Sequence, residues 1–197
     1  GRMGEEMDYI AHVRKDGEGW ALHALGEHLR GAAYRAERWA ALLGAGEWAR
    51  LAGLWHDLGK YAPQFQSMIR RESGYDPEEE IVVGPRNHST AGALHAVGQL
   101  GNAGRVLAYL IAGHHAGLPD WYGDGNAAAA LSARLRDRLH LDVLPQADIP
   151  ADILSPGIKP ATRMPGANDD ERMLGAHLWL RMLFSCLVDA DFLDTEA

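Results

Sequence analysis

Apolar positions along this chain recur mostly at three- and four-residue intervals, the spacing that lines one face of a helix. From about Trp20 to Leu43, the residues Leu22, Leu25, Leu29, Ala32, Ala36, Ala40 and Leu43 form such a stripe, closed by Gly44 and Gly46. A second stripe, Trp48, Leu51, Ala52, Trp55 and Leu58, predicts a core-facing helix that stops on a left-handed Gly59. Pro63, a favourable first-turn residue, opens a third piece to Arg71 with Gln64, Phe65, Met68 and Ile69 on its inner side. Asn87-His88-Ser89-Thr90 starts a helix to about Leu100, with Ser89 or Thr90 able to cap it. Arg105 to His115 is apolar nearly all round, the pattern of a central, buried helix. Ala127 to Leu139 predicts another helix, whose Arg134, Arg136 and Arg138 form a solvated face or lie along a phosphate path. The last begins at Asn168-Asp169-Asp170-Glu171, a capping residue followed by acids where the helix dipole favours them, and runs through Leu174, Leu178, Leu183, Phe184, Leu187 and Val188.

The breaks between these stripes fit one all-α domain over residues 1–197. Met7 to Gly19, with a turn signal at Lys15-Asp16-Gly17, is an extended or irregular lead-in. Residues 71–86 form a loop whose Ile81-Val82-Val83, the one β-like triplet, is too short for a sheet. Trp121 to Gly125 is a further loop. Five prolines between Leu141 and Gly166 exclude long regular structure, leaving an ordered surface excursion or a mobile loop.

Composition narrows the chemistry. The chain has 197 residues, is 47% hydrophobic, and shows no composition break that demands a second domain. One cysteine, Cys186 in an apolar helical run, excludes an intrachain disulfide framework and a cysteine-rich zinc site, and fits a reducing cytoplasm. The sequence has neither a signal peptide nor an uninterrupted apolar run of membrane length. Its 27 acids against 19 bases give a net charge of −8. A domain gripping duplex DNA alone would be basic, so the balance favours a small substrate or a nucleic acid delivered by a partner.

Ten histidines is more than packing requires. His56-Asp57 stands at the end of the second stripe, where imidazole and carboxylate side by side can give one ligand to each of two neighbouring ions. His28 lies at the edge of the core face of the first long helix, either turned inward or donating to a backbone carbonyl, whereas His23 falls on the polar side. His88 sits at the N-terminal lip of its helix and is a better candidate than His95, because ligands at helix ends converge without a helix passing through the site. His114 and His115, adjacent at the end of a buried helix, are hard to explain as packing, since each ring needs partners that a core rarely supplies. In the last helix Asp189 and Asp191 lie about 200° apart at roughly 100° per residue, so only one turns inward. His12 in the lead-in either approaches the site from there or is solvated, as a lone histidine in such a segment usually is; His177 reads as structural. Lys60 can reach a phosphate or pair with Asp57.

His28, His56-Asp57, His88, His114-His115 and the late aspartate together resemble the HD phosphohydrolase superfamily. The resemblance is closer to the HD nuclease domain of the CRISPR-associated helicase-nuclease of type I interference systems. It is carried by Tyr9 to His12, Leu25 to Leu29, Trp55 to Lys60, Asn87 to Ala93, Ile111 to Trp121 and Leu187 to Glu196. His-His-Ala-Gly-Leu-Pro-Asp-Trp from His114 and Val-Asp-Ala-Asp from Val188 are the specific strings. The resemblance implies a helical HD bundle whose metal ligands converge from several helix ends: His28, His56, Asp57, His88, His114, His115 and Asp191, with Asp191 preferred to Asp189 because Ala190-Asp191-Phe192-Leu193-Asp194-Thr195 keeps the family register.

It further implies one or two divalent transition ions (Mn, Fe, Ni or Co, with Zn or Mg as alternatives). His56, Asp57 and Lys60 would be catalytic, and Lys60, Ser89 and Trp121 would stand on the substrate side. The implied reaction is hydrolysis of single-stranded DNA in the cytoplasm, beside a superfamily 2 helicase and through it the CRISPR surveillance complex, away from membranes. No Walker-type Gly-x-x-x-x-Gly-Lys-Ser/Thr occurs, so a helicase would be a separate segment or subunit. Two other readings stand beside this one: an HD phosphohydrolase acting on a free or cyclic nucleotide, and a helical binding module without catalysis.

Overall fold

The computed structural model of the chain describes residues 9–118, 131–161 and 168–196. Helices dominate it, as the apolar spacing predicts, but it opens on a β-hairpin. Strands β1 (Ile10–Asp16) and β2 (Gly19–Ala24) pair antiparallel, His12 opposite His23 and Val13 opposite Leu22. Gly17, at φ +59°, supplies the backbone that a two-residue hairpin turn of matching twist requires. The helix expected from Trp20 therefore begins only at Leu25. Leu22 and Leu25 satisfy a three-residue spacing, yet Trp20 to Ala24 fits a period of two equally well. Pairing with β1 decides, and the amide of Leu25 closes the ladder on the Tyr9 carbonyl at 2.8 Å.

Nine helices follow among the described residues: α1 (Leu25–Ala41), α2 (Gly46–Trp55), α3 (Pro63–Glu72), α4 (Ser89–Leu100), α5 (Asn102–Gly113), α6 (Leu131–Arg134), α7 (Leu139–Asp142), α8 (Ala151–Leu154) and α9 (Asp169–Glu196). Helix α1 packs along α2 and α9, and α4 packs along α5. Leu25, Leu29, Leu51, Trp55, Leu58, Leu107, Leu110 and Ile111 fill the space between these pairs without measurable exposure to water beyond 1%. Each such side chain, fully buried, contributes about 1.5–3 kcal/mol.

Three expectations need correction. Gly59 is not left-handed; it lies in a short 3₁₀ turn, Leu58–Tyr61, after α2. It must be glycine because a Cβ would overlap the backbone of His88, whose carbonyl accepts the Gly59 amide at 3.1 Å. The cap of α4 is neither Ser89 nor Thr90 but Asn87, whose Oδ1 accepts both of their amides at 3.1 Å. The single helix expected over 127–139 is two short ones, α6 and α7, separated at residues 135–138, while 127–130 lie outside the described residues.

The proline-rich stretch is ordered where it is described. Ile149 and Ile153 are buried, Trp55 Nε1 donates to the Ile153 carbonyl at 2.8 Å, and His95 Nε2 lies 2.7 Å from the Leu154 carbonyl. Helix α9, at 28 residues, is long and apolar enough by length and composition to cross a membrane, although Arg181, Asp189, Asp191 and Asp194 interrupt its apolar run. Its C-terminal half instead buries Leu183, Leu187 and Ala190 in the core and turns carboxylates toward α1.

Candidate metal centre

The fold gathers side chains from five segments around Asp57. Helix α2 ends at Trp55, so His56 and Asp57 occupy the turn where the chain leaves the helix, and both are fully buried. The carboxylate of Asp57 has a different set of neighbours on each oxygen. Oδ1 faces His114 Nε2 at 3.3 Å, His88 Nε2 at 3.4 Å and His115 Nε2 at 4.0 Å. Oδ2 faces His28 Nε2 and His56 Nε2, each at 3.5 Å. Asp191 of α9 joins this second group, its Oδ1 at 3.3 Å from His28 Nε2 and 3.4 Å from His56 Nε2.

Local backbone chemistry aims the rings. The last carbonyls of a helix lack intrahelical partners. His56 Nδ1 uses Gly53 O and His114 Nδ1 uses Ile111 O, both at 2.7 Å and both three residues back in the last turn of their helix. Each carbonyl can only accept, so Nδ1 carries the proton and Nε2 turns a lone pair inward. Three buried atoms here, both carboxylate oxygens of Asp57 and His114 Nε2, make no hydrogen bond, although Asp57 Oδ1 and His114 Nε2 lie 3.3 Å apart. Buried polar atoms without partners are rare, and two donors facing the same point are what a cation site leaves behind when considered without its cation. Donors at 2.0–2.1 Å from an ion in a tetrahedral arrangement stand roughly 3.3 Å apart, close to the separations seen here. The nitrogen-rich set suits a transition ion over calcium or magnesium.

The electrostatics are those of crowded opposite charges. Burial pushes the Asp57 carboxyl up, but Lys60 and His56, then His114 and His28, outweigh it and hold it well below the usual carboxylate range. Burial also disfavours charge on His28, yet Asp191, Asp194 and Asp57 overcome this and raise its pKa to about 10. Asp191 is likewise held low, its burial outweighed by His28 and His56. On the other flank, burial lowers His88 to about 4, with Lys60 and the neighbouring imidazoles adding to the effect and Asp57 opposing it. Without an ion, His28 therefore carries a proton that an incoming cation must displace.

All seven candidate ligands, His28, His56, Asp57, His88, His114, His115 and Asp191, meet at this centre. Asp189 is exposed on the far side of α9. Lys60 departs from the expected phosphate-facing position. It is 4% exposed, with Nζ 2.7 Å from Asp57 Oδ2, though not along a hydrogen-bond direction, and 3.2 Å from the Ala11 carbonyl. Ser89 is also unsuited to the substrate side, because its hydroxyl donates to Asn87 Oδ1 and receives Arg134 Nη2 at 2.7 Å. Arg134, expected on a solvated face or a phosphate path, bonds Ala112 O and Thr90 Oγ1 as well. It thereby ties the start of α4, beside His88, to the end of α5, beside His114. Trp121 lies outside the described residues.

His12 stands at the rim, 4.8 Å edge-to-face from the His28 ring. The hairpin brings it there, opposite His23, and sequence spacing gives no sign of that pairing. Asp194 was not singled out at all. It is buried, with Oδ2 at 3.1 Å from His28 Nδ1 and 3.5 Å from His23 Nε2. Its place three residues after Asp191, one turn along the same face, was the available signal. His95 and His177 are elsewhere, the first packed edge-to-face on Trp55 and the second exposed.

Comparison with known proteins decides the family. The HD domain family matches residues 25–142, more than half of the chain. The chain belongs to the HD domain family. HD domains form a metal-dependent hydrolase superfamily that binds divalent ions, and this HD domain carries a histidine and aspartate cluster able to hold one. A solved structure described as a CRISPR-associated protein shares the fold, with a TM-score of 0.52 at 22% identity. The likeness covers 98% of this HD domain and 24% of that protein, so the chain spans about a quarter of its length. No curated protein matches the chain.

Proposed function

We propose that this HD domain is a metal-dependent nuclease that hydrolyses phosphodiester bonds of single-stranded DNA in CRISPR interference, in the cytoplasm beside a helicase. The observation that carries the reading is the Asp57 carboxylate standing between two histidine sets, one on each oxygen, which suits a bridge between two ions. When bound, a pair of divalent ions supplies Lewis acidity that activates water and offsets charge on the phosphate and leaving oxygen. His28, His56 and Asp191 would hold one ion and His88, His114 and His115 the other. Gly53 O and Ile111 O take the Nδ1–H of His56 and His114 and so aim their Nε2 atoms inward. Lys60, beside Asp57 Oδ2 at 2.7 Å, helps to hold that carboxylate ionised and is turned away from a substrate phosphate. The likeness to a CRISPR-associated protein supports the setting, and the acidic balance supports a strand threaded in by a partner.

A second reading has its own observation. A cavity of about 290 Å³, lined by His12, Arg14, Ala21, Leu22, His23, Asp194 and Thr195, opens beside the centre between the hairpin and α9. That is near the lower size of small-ligand pockets and suits a free or cyclic nucleotide. One assay separates the two. The protein loaded with Mn, Ni or Co should cut circular single-stranded DNA, lose this activity to a chelator, and regain it poorly with Ca, which prefers all-oxygen coordination. Turnover of free or cyclic nucleotides with intact circular DNA would replace the nuclease reading by the phosphohydrolase one. A protein that binds no transition ion would be a binding module.

A further inference from the structure

The three buried histidines of the centre are braced in two different ways. His56 and His114 sit just past helix ends, where unpaired carbonyls are within reach of Nδ1. His28 is the fourth residue of α1, where the carbonyls of the preceding turn are taken up by the helix itself. Its brace has to come from another element. Helix α9 provides it: Asp191 and Asp194, one turn apart, approach the two nitrogens of the same ring, Asp191 Oδ1 at 3.3 Å from Nε2 and Asp194 Oδ2 at 3.1 Å from Nδ1.

The close approach is built into α1 as well. Gly31, one turn after His28, faces Asp194, and a Cβ there would overlap the Asp194 carboxylate. Asp194 is buried, and its other neighbours are more distant, His23 Nε2 at 3.5 Å and Arg35 Nε at 3.7 Å. A buried carboxylate with so few close partners is costly unless its contact matters.

We propose that Asp194 is the positioning residue of the centre: it accepts the Nδ1–H of His28 and so holds His28 Nε2 toward the ion position shared with His56, Asp57 and Asp191. Asp194 does not itself touch that position. This rests on the metal-binding reading of the site. A carboxylate behind a ligating imidazole fixes its tautomer and raises its basicity, and loss of such a partner costs about 10–100-fold in metal affinity.

Calorimetric titration of the full chain with Mn(II) tests this. Asp194→Ala and Asp194→Asn should weaken one of two binding events by about 10–100-fold, Ala more than Asn, with the other event within a few-fold of the unaltered protein. Gly31→Ala, which displaces the carboxylate without removing it, should act in the same direction. A packing role alone would lower the melting temperature of the metal-free variants and leave the Mn affinities equal, which overturns the proposal. Should the variants not fold, the unaltered protein still decides by ¹⁵N NMR with Zn(II) bound. His28 must carry its proton on Nδ1, and protonation on Nε2 overturns the proposal. If the unaltered protein binds neither Mn nor Zn, the metal reading of the whole centre fails, a result distinct from equal affinities in the variants.

Discussion

The two flanks of Asp57 use the same ligand chemistry in different settings. On the Oδ2 flank, His28 and His56 are fully buried and Asp191 is mostly so, with α1, α2 and α9 packed around them. On the Oδ1 flank only His114 is fully buried. The His88 side chain is 22% exposed and that of His115 54%, with their Nε2 atoms 2.7 Å apart. A metal position that does chemistry needs an open place for water or substrate, whereas a closed one serves structure and charge. On the nuclease reading proposed above, the contrast puts substrate entry on the His88 and His115 flank and gives the His28 and His56 flank a supporting role.

The largest test removes what the flanks share. Asp57→Ala should reduce metal-stimulated cleavage to the metal-free background and abolish both binding events in calorimetry; retained activity would mean that the carboxylate does not join the flanks. Next comes the closed flank alone. Asp191→Asn should lose most cleavage activity while Asp189→Asn stays near the unaltered rate, because only Asp191 faces the two imidazoles. The reverse ranking in the same nuclease assay would put the wrong face of α9 at the centre.

A milder effect is expected on the open flank. His115→Ala should slow cleavage yet change the stability of the metal-free protein by no more than about 0.5 kcal/mol, as exposed positions do. A large fall in its denaturation midpoint would show that this flank is as load-supporting as the other. The smallest effect concerns α4, the helix whose start carries His88. Burial lowers the His95 pKa, opposed by the Leu154 carbonyl. Below its ordinary value of 6.5 the unfolded chain takes up a proton that the fold resists, so this contribution is present above that pH and lost as pH falls. His95→Gln should flatten the acid-side decline of the melting temperature, and an unchanged decline would place its origin in the other histidines.

How far the sequence could be read differs along the chain for physical reasons. Helix α5 and the end of α2 were legible because long apolar stretches with a burial period admit only one solution, and histidines at their ends have nowhere else to go. Trp20 to Ala24 was not, because five residues fit a helical stripe and a strand alike, and only pairing with Ile10 to Asp16 separates them. The settings of Lys60 and Ser89 are open in the sequence for a related reason. Each side chain has two possible partners, and the nearer one, Asp57 for Lys60 and Arg134 for Ser89, becomes visible only when distant segments meet.

The amino-acid order alone thus determined the helical class, the breaks between helices, and that His56-Asp57 and His114-His115 stand at helix ends, since these follow from spacing along one element; the inward turn of His28 and the choice of Asp191 over Asp189 came with the family resemblance. Tertiary packing decided which oxygen of Asp57 each imidazole addresses, which flank is open, and that Asp194 stands behind His28. Those are relations between elements as far apart as α1 and α9, and they are set by the close approach that Gly31 and Gly59 allow, a distance that no local periodicity encodes.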